Sequence, residues 1–174
     1  MAIEVENRNV RILETTRLIV RRWTADDAEA LYSICSDPDV MRYVGDGTPW
    51  RLKRTRQFIA DAVVTEQTHG YCRWPLIAKD AGSLVGFCGF IPAAEGAEMG
   101  WRLGSQIWGR GLATEAAQAV LKYGAETLGF RRVTATVHCE NRASLRVAKK
   151  LGMSVEAQNE QTGRVVLSWK RNAS

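Results

Sequence analysis

A chain of 174 residues, 45% hydrophobic and 25% charged, is long enough to bury a core and has the balance of a soluble globular domain. A net charge of +5 favours anionic ligands or an acidic partner, but no basic helix or arginine run with interleaved aromatics points to DNA. No apolar stretch approaches a membrane span, no signal peptide opens the chain, and only His69 and His138 accompany four unpatterned cysteines, so no membrane, no metal and a cytoplasmic location are expected.

No repeat or linker divides the chain, so one domain is expected over residues 1–174, with 1–13 as a variable lead-in. Arg17–Arg21 alternates as a strand does. Thr24-Ala25-Asp26-Asp27 resembles a capping box and predicts a helix to about Cys35, ended by Asp37-Pro38. Thr48-Pro49 predicts a second helix start, with Phe58, Ile59, Ala62 and Val63 on one face as far as about Gln67. Strands follow over Trp74–Ala78 and Leu84–Phe90, around the turn Lys79-Asp80-Ala81-Gly82, and over Ala97–Leu103. A helix is predicted over Leu112–Leu128, with Leu112, Ala116, Val120, Gly124 and Leu128 facing a sheet and Gly129 as a left-handed C-cap. Val133–His138 is a strand, Asn141 caps a short helix to Leu151, and one or two strands close the chain, including Val165–Trp169. Cys35, Cys72, Cys88 and Cys139 read as buried free thiols. The order implies a mixed α/β or α+β sheet with a glycine loop at a strand-to-helix junction.

That loop, Gln106-Ile107-Trp108-Gly109-Arg110-Gly111-Leu112-Ala113-Thr114-Glu115, is the most informative stretch. Glycines let the backbone approach a ligand and turn without a side-chain clash. The helix that follows offers unpaired N–H groups and the positive end of its dipole, which suits a phosphate or pyrophosphate. The spacing is neither G-x-x-x-x-G-K-[ST] nor G-x-G-x-x-G, which excludes the Walker and dinucleotide sites. By itself a G-x-G also fits a tight turn with no ligand.

Together with other segments, the loop carries a resemblance. Gln106-x-x-Gly109-x-Gly111 resembles the acetyl-CoA pyrophosphate loop, Q/R-x-x-G-x-G/A, of the GNAT N-acetyltransferase superfamily. Thr16–Arg21, Ser36–Tyr43, Leu84–Gly89, Met99-Gly100-Trp101, and Asn141-x-x-Ser144 followed by Lys150-Leu151-Gly152-Met153 resemble, in order, segments of its RimJ/RimL-like branch. The likeness covers about residues 14–170. It implies a mixed, mostly antiparallel V-shaped sheet flanked by helices, with the pantetheine arm of the cofactor beside strand Ala97–Leu103. It also implies acetyl transfer from acetyl-CoA to an amine, either a protein N-terminus or a small molecule. Homodimers are common in this branch.

The resemblance implies cofactor-binding roles for Met99, Trp101, Leu103, Gln106, Gly109, Arg110, Gly111, Leu112, Ala113, Thr114, Asn141 and Ser144. Backbone groups over residues 109–114 would take the pyrophosphate, and those near 99–103 would align the pantetheine and polarise the acetyl oxygen. Arg110 reads equally as a phosphate contact or a solvated arginine. Glu98, beside the acetyl position, is the first choice of base, with a solvent-facing or substrate-anchoring role as the other reading. Many relatives place a tyrosine seven residues after the asparagine; here that position is Ala148. Ser144 becomes the candidate donor to the leaving sulfur, or else a first-turn serine bonded to backbone. A terminal amine with a pKa of about 8 needs less base assistance than a lysine near 10.4. Tyr43, Trp50, Trp74 and Trp101 are candidates either for an acceptor pocket or for the core. The competing reading is a GNAT-fold sensor that holds acyl-CoA without turnover.

Overall fold

A computed structural model describes residues 10–171. Eight strands form one sheet: β1 (Arg11–Glu14), β2 (Leu18–Arg21), β3 (Arg73–Ala78), β4 (Leu84–Ala93), β5 (Gly96–Leu103), β6 (Arg132–His138), β7 (Ser154–Asn159) and β8 (Arg164–Lys170). Their order is β1-β2-β3-β4-β5-β6-β8-β7, antiparallel throughout except for β5 beside β6. The helices are α1 (Ala28–Cys35), α2 (Pro38–Met41), α3 (Leu52–His69), α4 (Leu112–Glu126) and α5 (Arg142–Lys150). The mixed, mostly antiparallel architecture is the one expected.

Several boundaries differ from expectation. β1 begins within the stretch read as lead-in and pairs with β2; residues 1–9 of that stretch fall outside the described residues. Thr48-Pro49 does not start α3, whose N-cap is Arg51. The Thr48 N–H is taken by Asp46 Oδ1 at 2.9 Å, and the Trp50 N–H goes to the Cys35 carbonyl at 2.8 Å, so residues 46–50 run as a strap from the end of α1. Asp37-Pro38 both follows one helix and starts the next: Asp37 accepts the Asp39 N–H at 2.9 Å and Pro38 stands at the first position of α2. Trp74 is a core residue rather than a pocket wall, fully buried with its indole N–H on Glu66 at 3.1 Å.

Helices cover both faces of the sheet. Phe87 and Phe90 lie three apart on β4 and therefore point to opposite sides. Phe87 meets Phe58 of α3 at 4.8 Å between ring centroids, while Phe90 meets Phe130 beyond α4 at 5.0 Å. Phe90 is fully buried, which stabilises the fold by roughly 1.5–3 kcal/mol. Gly124 explains how α4 comes so close: a Cβ there would stand 2.6 Å from the Phe90 ring. Gly129 takes φ +75°, and Phe130 returns its N–H to the Gly124 carbonyl at 2.9 Å, stopping α4 at Glu126. Cys35, Cys72 and Cys88 are buried, and Cys139 is half-buried. Burial pushes the Cys88 thiol up to about 12, which keeps it protonated and inert. No described helix is long and apolar enough to cross a membrane.

Candidate active site

The sheet opens at its centre. β5 and β6 run parallel but pair only at Ala97–Val133 and Glu98–Thr134, and from Met99 onward the strands part. Two cavities meet at this opening. One, of about 600 Å³, runs from Trp101–Leu103 past Ile107–Gly109 to the first turns of α4 and α5. The other, of about 350 Å³, lies over the face of β5 that carries Glu98 and Arg102. Tyr43, Val44, Trp101, Arg102, Asn141 and Ser144 line both.

The glycine loop forms one end of the larger cavity. Gly109 and Gly111 take φ +76° and +77°, a left-handed conformation that costs a residue with a Cβ about 1–2 kcal/mol. Gly111 is the N-cap of α4 and offers no side chain to the first turn. The N–H groups of Leu112, Ala113 and Thr114 come too early in the helix to reach an intrahelical acceptor; the Glu115 N–H is the first to do so, at 3.0 Å from the Gly111 carbonyl. Arg42, Arg142, Arg146 and Lys150 line this cavity against Asp39 and Glu140, an excess of positive charge suited to a polyphosphate.

A latch holds the loop. The Arg17 guanidinium donates to the Arg110 carbonyl at 2.9 Å and to Glu115 Oε2 at 2.7 Å. Glu115 Oε1 also accepts from Thr15 Oγ1 at 2.6 Å and from the Arg17 N–H at 2.9 Å. Partial burial pushes the Glu115 pKa up, but these hydrogen bonds and the Arg17 charge outweigh it and hold the carboxyl below its ordinary value. A carboxylate that would otherwise repel phosphates is thus turned away and neutralised.

Asn141 begins α5 on the far wall, its Oδ1 accepting the Ser144 N–H at 3.1 Å. Ser144 itself lines both cavities. Ala148, one turn further on, is fully buried, so the missing tyrosine leaves an apolar contact with the core.

On the second cavity, Glu98, Gly100 and Arg102 alternate along one face of β5. Arg73 reaches across from β3 and places a guanidinium nitrogen 3.2 Å from Glu98 Oε1. It can do so because Gly100 lies beneath it: a Cβ there would stand 2.7 Å from Arg73 Nε. Thr136 Oγ1 donates to Glu98 Oε2 at 3.4 Å. Burial lowers the Arg73 pKa, with the Glu98 charge opposing that shift.

Of the residues singled out from sequence, Leu103, Gly109, Gly111, Leu112, Ala113 and Thr114 line the larger cavity, Glu98 and Met99 the smaller, and Trp101, Asn141 and Ser144 both. Gln106 is exposed in a short 3-10 turn outside the lining, and Arg110 is exposed with its carbonyl on Arg17. Tyr43 lines both cavities and stacks on His138 at 5.3 Å, whereas Trp50 packs over Arg102 at 4.5 Å. Sequence reading missed Trp108, which lines the larger cavity and donates to the Leu103 carbonyl at 2.9 Å, and also Arg17, Arg73, Arg102 and Arg164. Arg17 and Trp108 stood inside matched segments, but the contacts that give them a role join distant parts of the chain.

Residues 17–154 match the acetyltransferase (GNAT) domain model, so the chain belongs to the GNAT acetyltransferase family. It is 34% identical over 148 residues to the N-acetyltransferase YoaA of Bacillus subtilis, covering 83% of this chain and 84% of YoaA. A GNAT-family acetyltransferase structure from Bacillus anthracis superposes with a TM-score of 0.79 at 30% identity, over 91% of this chain and 97% of that one. RimL, a ribosomal L7/L12 alpha-N-protein acetyltransferase solved with coenzyme A, shares the fold with a TM-score of 0.80 at 18% identity, over 92% and 97% of the two chains. The chain is an acetyl-CoA-dependent N-acetyltransferase by family.

Proposed function

We propose that the protein transfers the acetyl group of acetyl-CoA directly to a primary amine, with donor and acceptor held together on the two sides of β5. The observation that carries this reading is the parting of β5 and β6 between two cavities that share Ser144, Asn141 and Trp101. The thioester supplies the reactivity, and the chain supplies position and electrostatics.

The left-handed glycines and the first-turn N–H groups over residues 111–114 fit the pyrophosphate, and the basic side chains of α5 fit the remaining phosphate charge. The edge of β5 from Met99 onward offers backbone groups to the pantetheine and to the acetyl oxygen. Glu98, held by Arg73 and Thr136, accepts the proton of the amine directly or through a water. Ser144 donates to the departing sulfur.

The test is release of free thiol from acetyl-CoA across a panel of peptides and small amines. Thiol is expected only when a suitable amine is present, with an equal amount of acetylated amine formed. Binding of acetyl-CoA with no turnover on any amine would favour the sensor reading instead.

A further inference from the structure

The smaller cavity carries an excess of positive charge, with Arg73, Arg102 and Arg164 against Glu98. Arg73 is spent on Glu98. Arg102 and Arg164 line the same cavity, and among the described residues neither is paired with a carboxylate. Arg102 is half-buried and packs against the Trp50 and Phe87 rings, 4.5 and 5.0 Å from their centroids. Its one polar contact is to Cys35 Sγ at 3.4 Å, and its Nε is buried without a partner. Burying a charge is costly unless an opposite charge answers it. Two aromatic rings pack against this guanidinium, and with Nη1 on Cys35 and Nε buried, Nη2 is the nitrogen left for a ligand. Arg164 donates to the Gly45 carbonyl at 2.9 Å and so ties the 43–45 segment across the cavity, where Tyr43 stacks on His138.

We propose that the acceptor is a small-molecule primary amine bearing an oxyanion group, with its carboxylate or phosphate on Arg102 and Arg164 and its amine toward Glu98. This rests on the reading of the cavity as the acetyl-acceptor site. One acid and two unanswered arginines in one cavity complement a zwitterion. A volume of about 350 Å³, strapped by the Arg164–Gly45 contact, suits a metabolite better than an extended peptide.

The test uses the full chain saturated with CoA and matched amine pairs: free amino acids against their decarboxylated amines, phosphoethanolamine against ethanolamine, and acidic N-terminal peptides. Calorimetry reads binding, and thiol release from acetyl-CoA reads turnover. Within a pair the anionic member should bind at least about tenfold tighter, as charge-assisted hydrogen bonds imply. The carboxylate and phosphate pairs identify which oxyanion is preferred. Arg164→Gln should abolish the preference while acetyl-CoA affinity is kept, and Arg164→Lys should restore part of it. Equal binding within pairs, no binding by either member, or a preference for acidic peptides over free amino acids would each overturn the proposal. An anionic amine that binds tighter than its neutral partner but releases no thiol would leave an oxyanion site on Arg164 standing and overturn its reading as the acceptor site.

Discussion

Glu98 is the proposed proton acceptor, and the same carboxylate also holds Arg73 in place across Gly100. The two roles separate experimentally. If Glu98 takes the amine proton, Glu98→Gln should lower kcat by about 10²–10⁴ and leave acetyl-CoA affinity unchanged. If it only anchors Arg73, the loss should appear in the KM for the amine, with kcat little changed. For Ser144, loss of a donor to the leaving sulfur should cost about 10² in kcat in Ser144→Ala, comparable to removing a donor from an oxyanion hole. A serine that merely fills the first turn of α5 would give a change of less than about twofold, because Asn141 keeps the cap through the Ser144 backbone N–H rather than its hydroxyl.

At the level of elements, the site is held by contacts between segments far apart in sequence. The clearest is the latch from Thr15 and Arg17, beside β2, to Glu115 in the first turn of α4. Because the folded carboxyl has a lowered pKa, its stabilisation is present above the ordinary value of about 4.5 and is lost as pH falls through the folded value. Glu115→Gln should therefore cost about 1 kcal/mol at pH 7, a figure kept small because Arg17 is about half exposed to solvent. Chemical denaturation at several pH values should show the gap between wild type and variant closing as pH drops below about 4.5. A gap that stays constant with pH would show that the ion pair does not stabilise the fold.

At the level of the whole molecule, local patterns carried the elements and contacts between distant parts of the sequence carried the site. The face Leu112, Ala116, Val120 was legible because helical periodicity depends only on spacing, and all three residues are buried. The glycine loop was legible because left-handed backbone at Gly109 and Gly111 needs glycine in any context. The start of α3 was not, because Thr48-Pro49 is a sound local signal overridden by the strap that binds Trp50 to Cys35. Arg73 and Arg102 were not legible either. Arg73 opens β3, and only the registers of β3, β4 and β5 bring it over Gly100 to Glu98, while Arg102 owes its setting to Trp50 and Phe87.

The central claim is that the loop over residues 109–114 holds the donor while the far side of β5 holds the acceptor. Titration of acetyl-CoA into wild type and Gly109→Val tests it most directly. A Cβ at Gly109 meets open space, with nothing within 4 Å, so the change acts through the left-handed backbone rather than through a clash with the core. The expected result is at least about tenfold weaker binding, with a melting temperature lowered by no more than a few degrees. Unchanged acetyl-CoA affinity in a folded Gly109→Val protein would contradict the assignment.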